Sequence, residues 1–152
     1  MRGCYRNIRA VVLGLSRSGI AAVKLLKANG ANVIGSDNCE LESLDPQVSS
    51  LGAQLVLGSH PKELLDEANL IVVSPGVLPQ HSILAEARRR SIPIWSEIEL
   101  GYRHVRGTVI AVTGTMGKST TATLLRDLIL ASGRKVRLVG NIGVPLCDNV
   151  EN

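Results

Sequence analysis

Residues Thr113-Gly114-Thr115-Met116-Gly117-Lys118-Ser119-Thr120 combine the residue types that hold polyphosphate. A β-branched apolar run, Thr108–Val112, enters a glycine-containing turn, and a helical pattern follows at once. Backbone N–H groups and a helix N-terminus therefore converge on one spot, which favours an anion. Lys118 adds a mobile cation for β- and γ-phosphates, and the Ser119 hydroxyl stands where a phosphate-bound Mg²⁺ needs an oxygen ligand. The general phosphate-loop pattern asks for a further glycine where this chain has Val112, so only the shorter T-G-T-x-G-K-S-T form survives.

A second loop of interest is Gly14-Leu15-Ser16-Arg17-Ser18-Gly19, between an apolar run and a helical pattern. It is similar to the dinucleotide fingerprint, with Asp37 near the spacing of a ribose-binding acid. Ser16 replaces the middle glycine that lets a pyrophosphate approach the backbone. A nucleotide other than NAD suits the turn better, with the helix N-terminus, Arg17 and Ser18 as donors. The alternative reading of Gly14 and Gly19 is a tight turn with close helix packing, and that of Asp37-Asn38 a strand-end turn. Ser74-Pro75-Gly76 follows the apolar run Leu70–Val73, at the end of a strand where open α/β sheets bind ligands, and it also reads as a plain Pro-Gly turn.

These loops need a scaffold. The spacing predicts strands at Ile8–Leu13, Ala31–Ser36, Gln54–Leu57, Leu70–Val73 and Ile92–Trp95. Helices are expected at Gly19–Ala28, Asp45–Leu51, His60–Ala68, Pro79–Ser91 and Ser96–His104, the last with a capping box from Ser96 and Glu99. Beyond a turn at Val105-Arg106-Gly107 come the phosphate-loop strand, a helix over Ser119–Ser132 and a strand over Arg134–Val139. The resulting class is α/β: a Rossmann-like parallel-sheet domain over 1–95, a linker helix and turn over 96–107, and the opening of an ATP-binding α/β domain over 108–152. Two strands and one crossover helix do not make an independently stable unit, so the sequence reads as cut short, and its unfinished second sheet favours association.

Composition narrows the field. Among 152 residues there are 17 Lys and Arg against 13 Asp and Glu, a surplus spread along the chain. Arg88-Arg89-Arg90 is the one basic cluster; without interleaved aromatic residues it gives no reason to expect nucleic acid. Cys4, Cys39 and Cys147 are odd in number and far apart, which argues against a disulfide framework or a zinc site and for a reducing cytoplasm. His60 and His81 read as isolated surface or capping residues. No stretch reads as a signal peptide or a membrane span.

The ordered succession G-L-S-R-S-G, S-D-N, S-P-G-V, I-P-I-W-S-E-I-E-L, V-I-A-V-T-G-T-M-G-K-S-T-T and V-G-N-I-G-V-P resembles the Mur ligases, nearest the D-glutamate-adding type, over essentially the whole chain. The resemblance implies a cytoplasmic, ATP- and Mg²⁺-dependent step of peptidoglycan synthesis. In it UDP-N-acetylmuramoyl-L-alanine is activated as an acyl phosphate and joined to D-glutamate. It places Arg17 and Ser18 at the diphosphate, Asp37 and Asn38 at the uridine, Ser74 and Gly76 beside the phosphates, and Asn141 at the UDP-sugar. It wraps Gly114, Thr115, Met116, Gly117, Lys118, Ser119 and Thr120 around ATP, with Lys118 as the catalytic cation and Ser119 toward the metal. Met116 stands where the family usually has Asn. The residues of such enzymes that lie past the G-N-I-G loop are absent, so the chain alone is expected to be inactive. No membrane insertion and no obligate protein partner are expected. Rival readings are a folylpolyglutamate synthase-like ligase, an NAD-dependent oxidoreductase and a non-catalytic UDP-sugar-binding remnant.

Overall fold

The computed structural model describes residues 5–150. Five parallel strands, β1 (Arg9–Leu13), β2 (Asn32–Asp37), β3 (Gln54–Leu57), β4 (Leu70–Val73) and β5 (Ile94–Ser96), form one sheet in the order β3-β2-β1-β4-β5. Val11 pairs with Ile34 on one side and Ile71 on the other, so β1 is central and buried on both faces. Such strands read as continuous apolar runs, which is why R-A-V-V-L and L-I-V-V were legible as parallel strands.

Helices cover both faces. Ala10 and Val12 share a core with α1 (Arg17–Ala28) and with Leu100 of α4 (Glu97–Tyr102). Val11, Leu13 and Ile71 pack on the other face against Ile83, Leu84 and Ala87 of α3 (Ser82–Arg89). A one-turn α2 (Gln47–Ser50) contributes the buried Val48. Ser96 caps α4, its hydroxyl accepting from Glu99 N–H at 3.1 Å. The last helix, α5 (Lys118–Ala131), follows Gly117 at φ +75°. Cys4 lies outside the described residues.

Three expected elements differ. The helix expected over His60–Ala68 is only a 3-10 turn, Lys62–Leu65. Glu67 adopts φ +61°, a conformation that ends a helix, and Asn69 N–H already bonds Arg9 O at 2.9 Å on the way into β4. Neither Thr108–Val112 nor Arg134–Val139 forms a strand; the nearest feature is an isolated bridge between Val139 and Val144. A strand needs a hydrogen-bonded neighbour, and no described residues pair along 108–112, where Val109 and Ile110 are 47% and 58% exposed. Residues 145–148 were expected in the second unit, yet Leu146 and Cys147 are buried against the first. Leu146 sits against Gly101, where a Cβ would come within 2.7 Å of its Cγ, and buried Glu97 accepts from Cys147 N–H at 2.6 Å.

Candidate functional site

In this strand order, β1 is followed in sequence by a strand on one side of it and neighboured by β4 on the other. The crevice at the carboxyl ends of β1, β2 and β4 is thus the switch point where open sheets of this kind take ligands. Three loops meet there. The first turns at Gly14, at φ +83°, and enters α1 so closely that a Cβ on Gly19 would lie 1.8 Å from Gly14 O. Ser16 is the N-cap residue in extended backbone, and its side chain caps nothing. The opening N–H groups of α1 therefore have no side-chain acceptor from the cap, an arrangement suited to an anion.

The second loop supplies Asp37. One carboxylate oxygen accepts from Leu15 N–H at 2.6 Å and the other from Cys39 N–H at 3.0 Å, tying the end of β2 to the first loop. Burial opposes ionisation of Asp37, but these amide bonds outweigh it, with His60 assisting, and hold the carboxyl below its usual range. Asn38 is exposed beside it.

The third loop follows β4. Ser74 is buried, its N–H bonded to Leu13 O at 2.9 Å and its hydroxyl donating to Gly14 O at 2.7 Å. Its hydroxyl proton is thus spent on shaping the first loop. Gly76 lies exposed in a turn closed by Val77 N–H to Ser74 O at 3.0 Å, with open space around it.

Arg17 and Ser18 sit in the first turn of α1, and Arg17 reaches away to donate from Nη2 to Gly143 O at 2.8 Å. That contact brings the G-N-I-G loop, with exposed Asn141, to the crevice. Two histidines also join the site. His60 Nδ1 lies 2.7 Å from the hydroxyl of the fully buried Ser36, and its ring meets that of His81 edge-on at 5.3 Å. His81 does cap α3, accepting from Ile83 N–H at 3.3 Å, whereas His60 is a half-buried partner rather than a lone surface residue. Its one sequence signal was a small polar residue, Ser36, ending an otherwise apolar strand. Burial, then the neighbouring His81, lowers the pKa of His60, partly offset by Asp37.

The second loop region is Gly114–Thr120. Gly114 and Gly117 take φ +148° and +75°, and no atom lies within 4 Å of the place a Cβ on Gly117 would occupy. Lys118 opens α5 and folds back, its Nζ bonding Gly114 O at 2.5 Å and Thr115 O at 3.2 Å. Thr115, Ser119 and Thr120 are exposed around it, and the Met116 side chain stands in solvent, 90% exposed. The open glycine turn, helix N-terminus and cation fit a nucleotide polyphosphate with its Mg²⁺. Among the described residues no group of three or more acidic, His or Cys side chains could hold a metal by itself, and no helix is long and apolar enough to cross a membrane.

A family model described as the MurD-like N-terminal domain of Mur ligases matches residues 8–96. Relatives named UDP-N-acetylmuramoylalanine–D-glutamate ligase are similar along nearly all of the chain. Those from Desulfitobacterium hafniense, Desulfosudis oleivorans and Geobacillus kaustophilus are 46%, 45% and 38% identical over 147, 152 and 151 residues. These alignments cover 95%, 96% and 95% of this chain but 32%, 33% and 33% of the relatives, so the chain spans about a third of their length. Among solved structures, a pseudomurein peptide ligase type C from Methanothermus fervidus superposes with a TM-score of 0.56 at 26% identity, covering 83% of this chain and 26% of that one. A murein peptide ligase from Psychrobacter arcticus gives 0.58 at 24% identity over 83% of this chain and 27% of its own, a likeness of fold. The chain belongs to the Mur ligase family, its residues 8–96 forming a MurD-like N-terminal domain.

Proposed function

We propose that this chain binds a UDP-sugar at the carboxyl ends of β1, β2 and β4, and ATP at Gly114–Thr120. It would thereby serve a ligase that adds D-glutamate to UDP-N-acetylmuramoyl-L-alanine. The observation that carries the reading is the wiring of the three loops, Asp37 to Leu15 N–H and Ser74 to Gly14 O, which pre-forms an anion-binding turn at the switch point. Pre-formed polar sites lose less ordering entropy when a ligand arrives.

In this reading the N–H groups of α1 with Arg17 and Ser18 take the diphosphate. Asp37 and Asn38 take the uridine; two of the roughly four lone-pair directions of Asp37 are used internally, leaving others for the nucleoside. Ser74 acts through Gly14, Gly76 leaves room beside the phosphates, and Asn141 approaches the sugar. A carboxylate does not accept an amine until one oxygen becomes a good leaving group, which is the chemistry that Mg²⁺-ATP supplies when bound. Lys118, held over the loop carbonyls, would turn its charge toward the transferring phosphoryl group, and Ser119 would face the metal. Thr115 and Thr120 stand ready as hydroxyl donors, and Gly114, Met116 and Gly117 contribute backbone N–H groups. A reducing, cytoplasmic setting accords with this reading.

Calorimetric titration with UDP-N-acetylmuramoyl-L-alanine, beside Mg²⁺-ATP and NADH, tests it. The UDP-sugar is expected to bind and NADH is not. Lys118→Met should leave stability within about 0.5 kcal/mol, because the side chain is exposed, yet weaken Mg²⁺-ATP by at least about tenfold. A folded chain that takes NADH and ignores the UDP-sugar would refute the proposal.

A further inference from the structure

We propose that Arg17 is a positioning residue that holds the Gly140–Val144 loop and the nucleotide diphosphate with one guanidinium, so that each orders the other. The inference rests on the nucleotide reading above. Its own observation is the bond from Arg17 Nη2 to Gly143 O, which spans 126 residues of sequence.

The acceptor is fixed in place. Gly140 N–H bonds Val144 O at 3.0 Å, and Val139 bridges Val144, so the loop closes on itself. Gly143 takes φ +88°, and a Cβ there would stand 2.7 Å from Leu138 O. No other residue gives that turn without displacing a backbone carbonyl, and the turn is what presents the Gly143 carbonyl to Arg17. Immediately downstream the chain is clamped to the first unit by buried Leu146 and by Cys147 N–H on Glu97. Upstream, 134–138 lies in no strand. Arg17 therefore tethers the loop on its loosely held side.

The donor has capacity to spare. A guanidinium carries five N–H donors in a rigid fork, and this carbonyl uses one. The first turn of α1 contains no acidic residue, and none of the ion pairs among the described residues engages Arg17. Arg17 is itself the first residue of α1, whose N-terminus favours an anion, and Arg recognises phosphate with paired donors. A side chain pinned at one end to the loop and at the other to a diphosphate couples the two, and that coupling is reciprocal by linkage.

Hydrogen exchange of the 139–144 amides, with and without UDP, in wild-type chain and in Arg17→Met and Arg17→Lys, tests the proposal. Without ligand, Arg17→Met should exchange these amides about five-fold faster, the factor for losing one exposed hydrogen bond. Saturating UDP should slow them in the wild type, leave them unchanged in saturated Arg17→Met, and slow them only partly in Arg17→Lys, which keeps the charge without the fork. Equal protection by UDP in wild type and Arg17→Met, or faster loop exchange when UDP binds the wild type, overturns the coupling while sparing the nucleotide site. A calorimetric absence of UDP binding to the wild type takes down both.

Discussion

Gly19→Ala is the most demanding test of how the first loop meets α1. The new methyl would stand 1.8 Å from Gly14 O and 2.9 Å from Ser74 Oγ. The carbonyl cannot retreat freely, because Leu13 and Leu15 beside it are fully buried. Forcing such overpacking costs about 1–3 kcal/mol, and displacing Gly14 O also loses the Ser74 hydrogen bond, roughly 1 kcal/mol. Against this, alanine is a better helix former than glycine by about 1 kcal/mol. The net is a loss of roughly 2 kcal/mol, small beside the 5–15 kcal/mol of a typical domain, so the variant still folds. At a urea dependence of about 2 kcal/mol per molar, the midpoint of unfolding should fall by roughly 1 M. Gly76→Ala is the matched control: nothing lies within 4 Å of its added carbon, and its stability should stay within about 0.5 kcal/mol. An unchanged or raised midpoint for Gly19→Ala would mean that helix and loop do not approach as described.

The remaining predictions concern titratable and polar groups in and beside the core. Burial lowers the folded-state pKa of both His60 and His104 below 6.5, so on acidification the unfolded chain takes up these protons first. Stability should decline as pH falls through 6.5 and level off below the folded values. Asp37 then acts separately, its contribution present above 3.8 and lost as pH falls past that value; Asp37→Asn should flatten this acid limb. Thermal melts from pH 7 to pH 3 measure both, and a profile flat from 7 to 5 refutes the histidine part. Glu97→Ala strands the buried Cys147 N–H and should cost about 1–3 kcal/mol, with Glu97→Gln costing less. Burial and the adjacent Glu97 push the Cys147 thiol well up, so in a Cys4→Ser background thiol reagents should label exposed Cys39 first and reach Cys147 readily only in Glu97→Ala. Fast Cys147 labelling in the parent would count against its burial.

What could be read from the sequence was what is locally encoded. Gln54–Leu57 and Leu70–Val73 match β3 and β4 in full, and Ser96 with Glu99 announced the start of α4. The glycine turns ahead of α1 and α5 were also legible, since glycine and small hydroxyl residues between an apolar run and a helical pattern have a direct physical meaning. The wiring was not. That Asp37 would bond Leu15, Ser74 would bond Gly14, and Ser36 would bond His60 depends on which strands neighbour one another, and strand order is a long-range property. The failed helix at Lys62–Leu65 came from reading Pro61 as the opening of a helix, while Glu67 at positive φ left no local signal. Thr108–Val112 is strand-like in composition, but composition does not supply a neighbour. Leu146 and Cys147 were invisible for the same reason, their partners lying on α4, some 50 residues earlier.

The clamp at Leu146 and Cys147 makes residues 103–144 an excursion with both feet on one platform, α4 at its start and the 3-10 turn Leu146–Asp148 at its end. Covalent continuity and physical attachment are consequently separate in this chain. A protease that cuts the exposed Arg106–Ala111 stretch would sever the polypeptide without releasing its downstream piece, which stays clipped through Leu146 in the Gly101 notch and Cys147 on Glu97. Nicked protein would then run as two fragments under denaturing conditions and as one particle in native buffer. The glycine at 101 is what cuts that notch.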